Sequence, residues 1–95
     1  MPKKILIVDD EADIFTIEQI RLESFGYEIV GAKDAESAME FLQKCLPDLI
    51  LLDLLLPKMQ GDEFCKKLKS DEQYKNIPVI LYTYGYTEKD GRDGC

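Results

Sequence analysis

The sequence predicts an α/β domain, a parallel sheet of four strands with helices on both faces. Two short apolar runs carry the prediction, KKILIVDDE (Lys3 to Glu11) and PDLILLDLLLP (Pro47 to Pro57), each stopping on carboxylate. A continuous apolar run lacks the polar alternation of a half-exposed strand and reads as a strand covered on both faces. Between the strand-like runs lie segments of helical spacing, and the resulting βαβαβαβ order implies parallel strands joined by crossover helices. A chain of 95 residues, 45% hydrophobic, is enough for one domain with a packed core.

Strand one runs from Lys3 to Val8. Asp9 or Asp10 can cap a first helix from Glu11 to Ser24, whose Ile14, Ile17 and Ile20, with Phe15 and Leu22, fall at helical spacing. Gly26 is its stop. Strand two is Tyr27 to Ala32. Asp34 caps a second helix, Ala35 to about Cys45, with Ala38, Phe41 and Leu42 inward, and Leu46-Pro47 breaks it. Strand three is Leu49 to Leu52. Pro57 and Gly61 mark a turn, after which a third helix runs to about Ser70 with Phe64 and Leu68 inward. A polar connector, SDEQYKN, leads to strand four, Pro78 to Thr83. Residues 84–95 hold three glycines and no apolar periodicity and read as a loop or disordered tail.

Composition narrows the chemistry. A formal charge of −7 argues against nucleic-acid or anionic-membrane binding by this chain alone. No apolar run approaches the ~18 residues of a membrane span. The short, acid-ended N-terminal run is unlike a signal peptide, and three cysteines without an export signal fit a reduced, cytoplasmic setting. Cys45 and Cys65 lie in helix-like patterns and read as small hydrophobes. The chain has no histidine, which excludes histidine acid–base catalysis, histidine metal ligands and a phosphohistidine on this chain.

The carboxylates are the candidate site. Ligands of open parallel sheets bind beyond the carboxyl ends of the strands. Asp9, Asp10 and Asp53 gather there, and their mutual repulsion is relieved by a hard cation such as Mg²⁺, with Mn²⁺ an alternative. One aspartate at a strand end is often only a helix cap. Two adjacent acids with a third on a neighbouring strand exceed what capping needs. Tyr82 and Tyr84 read as packing residues.

The motifs ILIVDDE, LILLDLLLPKMQG and IPVILYT, in that order and spacing, resemble the receiver domain of two-component response regulators. The resemblance runs from about Lys3 to Thr83. It implies a three-layer flavodoxin-like fold of strand order 2-1-3-4, the family's fifth strand and last helix being absent, so that residues 1–95 form an incomplete receiver domain. It implies Asp53 as phosphoacceptor, and Asp9, Asp10, Asp53 and the backbone carbonyl of Leu55 as ligands of the cation. It assigns Thr83 as the switch hydroxyl, and Pro57 and Gly61 as shapers of the loop that presents Leu55. The family's lysine at the end of strand five has no counterpart.

The implied function is that of a signalling phosphoacceptor rather than an enzyme, at most assisting its own phosphorylation and dephosphorylation. Its partner is a sensor histidine kinase or phosphotransfer protein. The alternative is a truncated interaction module that does not switch. A flavin-binding relative is disfavoured, since Asp9-Asp10-Glu11 would repel phosphate, and an aspartyl-phosphatase enzyme wants an aspartate where Leu55 stands. Strand four, apolar and at a sheet edge, and a bare sheet face predict a homodimer.

Overall fold

The computed structural model describes residues 3–82. The tail 84–95 and the hydroxyl of Thr83 lie outside them. The elements alternate as expected: β1 (Lys4–Val8), α1 (Ala12–Glu23), β2 (Glu28–Ala32), α2 (Ala35–Leu42), β3 (Leu49–Asp53), α3 (Gly61–Lys69) and β4 (Val79–Tyr82). All neighbouring strands are parallel, and the sheet order is β2-β1-β3-β4.

Register sorts the side chains into rows. Val30, Leu6, Ile50 and Val79 form one row across the sheet, and Ala32, Val8, Leu52 and Leu81 the next. This face packs against α2 and α3, whose Ala35, Ala38, Leu42, Phe64, Cys65 and Leu68 complete the main core. Phe64, Leu6, Ile50 and Leu52 are fully buried there. Truncating one such side chain to alanine costs about 2–5 kcal/mol.

The opposite face carries the rows Ile29–Ile5–Leu49 and Gly31–Ile7–Leu51–Ile80. Helix α1 covers its β2 side through Phe15, whose ring fills the space above Gly31; a β-carbon on Gly31 would come 2.6 Å from that ring. No residue of α1 is fully buried. Ile17 is 49% exposed and Ile20 65%, so helical spacing alone overstated the inward stripe of α1. β1 is buried on both faces, as its apolar run predicted. β3 and β4 are not: Leu49 and Leu51 are half-buried and Ile80 is exposed, because α1 reaches only part of this face.

Local signals explain most boundaries. The Asp34 carboxylate accepts from the Ser37 amide at 2.8 Å, capping α2 as expected. Gly26 takes a φ of +94° where the chain leaves α1, a conformation open to glycine without penalty. α2 ends at Leu42, earlier than the expected Cys45, and the amides of Lys44 and Cys45 both turn back to the Phe41 carbonyl. The Cys45 thiol is half-buried and accepts from Lys4 Nζ at 3.3 Å, so it is not merely a packing residue. The connector between α3 and β4 is polar only in part. Its turn, built on Asp71, inserts Tyr74 into the core, and Ile77 follows it inward.

Candidate phosphoacceptor and cation site

Asp9 follows β1 directly, and its amide is held by the Ala32 carbonyl of β2 at 2.9 Å. Asp53 is the last residue of β3 rather than the first residue beyond it. It stands in register with Tyr82, the last residue of β4. Asp9, Asp53 and Tyr82 therefore extend the α1-side rows by one step, at the carboxyl end of the sheet. Asp10 follows at the same end and is exposed.

One oxygen from each of Asp9, Asp10 and Asp53 lies within 4.8 Å of the others. Asp9 and Asp53 are nearly buried, at 5% and 8% exposure. Among the described residues, none of the three makes an ion pair with a lysine or arginine. Burial pushes the Asp53 carboxyl up from 3.8 to about 6; the Leu55 amide opposes this, while Asp9 and Asp10 add to it. An all-oxygen cluster of like charge, open on one side to a groove lined by Phe15, Gly31, Lys33 and Ser37, suits a hard divalent cation and offers nothing to a soft one.

Asp9 does not cap α1. The N-cap position belongs to Glu11, without a side-chain bond, and Asp9 Oδ1 instead accepts from the Glu11 amide at 2.9 Å. Asp53 Oδ1 accepts from the Leu55 amide at 3.1 Å, the same two-residue turn. These bonds fix each carboxylate against its own following backbone. Leu55 is thereby held beside Asp53, with its side chain 53% exposed.

The loop from Leu54 to Gln60 is pinned at both ends. The Leu54 amide donates to the Tyr82 carbonyl at 2.8 Å, and the Gly61 amide to the Leu54 carbonyl at 2.8 Å. Pro57 turns the chain, its carbonyl accepting from Met59 at 2.7 Å, and Lys58 sits at a φ of +71°, rare for a residue with a side chain. Gly61 lies against the backbone of Asp53 and Leu54, where a β-carbon would collide with the Asp53 carbonyl oxygen and lie 2.8 Å from Leu54 Cα. Of the two loop positions read from the sequence, Gly61 is held by a close steric approach and Pro57 lies in the turn through its carbonyl.

One contact was not foreseen. The Tyr82 hydroxyl donates to Asp9 Oδ2 at 2.5 Å, reaching from β4 across β3 to the end of β1. Tyr82 is not simply a packing residue. Burial, and then Asp9, hold its phenol well above the usual tyrosine value, so it stays a proton donor at neutral pH.

The model of the response regulator receiver domain matches residues 5–94. The chain belongs to this family. It is 45% identical over 83 residues to the alkaline phosphatase synthesis transcriptional regulatory protein PhoP of Bacillus subtilis, covering 87% of this chain and 34% of that protein. The chemotaxis response regulator CheY4 of Vibrio cholerae superposes with a TM-score of 0.84 at 32% identity, over 95% of this chain and 75% of that one. Response regulator Rcp1, solved in a Mn²⁺-bound form, gives a TM-score of 0.81 at 36% identity, over 94% and 70% of the two chains. The receiver domain spans about a third of the length of the curated regulators it matches. Among the described residues no helix is long and apolar enough to cross a membrane.

Proposed function

We propose that this receiver domain is a phosphoacceptor, with Asp53 taking a phosphoryl group from a phosphohistidine on a sensor kinase or phosphotransfer protein. The carrying observation is the buried Asp53 carboxylate at the end of β3, flanked by two further carboxylates. In the reaction an Asp53 oxygen attacks phosphorus, the N–P bond of the donor breaks, and an O–P bond forms while the imidazole leaves with its electron pair. Asp9, Asp10, Asp53 and the Leu55 carbonyl would hold Mg²⁺ or Mn²⁺. When bound, that cation neutralises charge on the phosphoryl oxygens. The Leu55 amide holds Asp53 in place. Thr83 would supply a hydroxyl to the phosphoryl group. The domain acts as a signalling acceptor in the cytoplasm and binds no nucleic acid through this chain.

The test is incubation with acetyl phosphate and Mg²⁺, followed by intact mass measurement. One added phosphoryl group is expected in the wild type and none in Asp53→Asn. A wild type that binds Mg²⁺ but is never modified would favour the alternative of a non-switching interaction module.

A homodimer accompanies this reading. The exposed Ile80 and half-buried Leu49 and Leu51 line a mainly apolar groove with Ile5, Leu22 and Tyr27, which Lys3 and Asp48 also border, beside β4, the outer strand among the described residues. A second copy would cover it.

A further inference from the structure

We propose that Tyr82 is a positioning residue of the cation site, aiming Asp9 through its hydroxyl; this rests on the cation-dependent reading of the acidic cluster. Asp9 is the most enclosed of the three carboxylates, and both of its oxygens are engaged. Oδ1 accepts from the Glu11 amide at 2.9 Å and Oδ2 from the Tyr82 hydroxyl at 2.5 Å. The first bond is local and ties Asp9 only to its own turn. The second comes from two strands away and fixes the carboxylate in the frame of the whole sheet.

A carboxylate oxygen has two lone pairs, so a donor on Oδ2 leaves one free for a cation. With the plane of Asp9 set from both ends, the carboxylate meets Asp10 and Asp53 without a rotamer search when the cation arrives. A ligand oriented by an outer hydrogen bond binds its metal more tightly than a free one, typically by about 10–100-fold. No lysine or arginine performs this service among the described residues. A neutral phenol does so without competing, by charge, with a divalent ion. Tyr82 also stands in register with Asp53, so the residue that holds Asp9 is the strand neighbour of the third carboxylate.

Tyr82→Phe keeps the ring and removes only the hydroxyl. Mg²⁺ is titrated calorimetrically into wild type and Tyr82→Phe, both checked for native circular dichroism. The expected result is an affinity lower by about tenfold in the variant. A second measurement needs no variant. Phenol absorbance in the wild type should shift as Mg²⁺ fills the site, because the acceptor of the Tyr82 hydrogen bond gives up charge to the ion. Equal affinities in the two proteins, or cation binding with no phenol shift, would overturn the role of Tyr82 and leave the site reading standing. A wild type that binds no divalent cation would overturn the site reading and this inference together.

Discussion

Gly61 and Asp53 touch backbone to backbone: the α-carbon that opens α3 rests on the carbonyl of the residue that ends β3. The contact leaves no room for a side chain. Gly61→Ala must push the start of α3 away from the strand end or distort the loop between them. The expected loss is about 2–4 kcal/mol of folding stability, a core-sized effect from one methyl group. Urea unfolding of the two proteins measures it, and a change below the error of the method would contradict the close approach.

Asp53 should destabilise the cation-free fold at neutral pH. Its folded value, about 6, lies above the ordinary 3.8, so the folded state favours the protonated form. The penalty is absent below about pH 4, grows as pH rises to about 6, and is constant above that. Asp53→Asn should therefore be more stable than wild type at neutral pH by about 1–2 kcal/mol, allowing for solvent screening, and nearly equal to it at low pH. Thermal melts in chelator across this range test the sign. An Asn variant less stable at neutral pH would reverse the assignment.

Mg²⁺ should change this order. Binding to the folded state alone adds stability that rises with the ratio of free ion to dissociation constant. Wild type should gain melting temperature with added Mg²⁺, and Asp10→Asn should gain much less. Equal gains would remove Asp10 from the ligand set.

The apolar groove beside β4 should mediate self-association. Sedimentation at micromolar concentration is expected to show a dimer in wild type and a monomer in Ile80→Lys. Ile80 is already 41% exposed, so the substitution itself should leave folding stability within about 0.5 kcal/mol of wild type. A wild-type monomer would sink the dimer, and a dimer indifferent to Ile80→Lys would move the interface elsewhere.

Most of the fold was legible because its signals are local. Apolar runs ending in acid marked strands one and three, apolar runs between turn residues marked the other two, Asp34 marked a cap, Gly26 a stop, and Pro57 with Gly61 a turn. The acidic trio was legible too, since strand ends in a parallel sheet converge. What escaped depends on distance. The Tyr82 bond to Asp9 joins residues on strands that are not sheet neighbours, and nothing in IPVILYT announces it. Tyr74 and Ile77 were hidden by the lysines and acids around them, although a turn can carry two apolar residues inward. A continuous apolar run looks the same whether or not a helix reaches it, so the runs by themselves do not separate the half-covered side of β3 and β4 from the fully covered β1.

Strand β4 divides its four residues among three tasks. Val79 and Leu81 belong to the core, Ile80 to the groove, and Tyr82 to the carboxylates. Ile80 and Tyr82 lie one pleat apart on the same face. Whatever grips the groove therefore handles the same short lever that steadies Asp9, with no intervening element to absorb the displacement. In this domain assembly and ion affinity would be two readings of one strand, and a shift in either should register in the other without a relay through the helices.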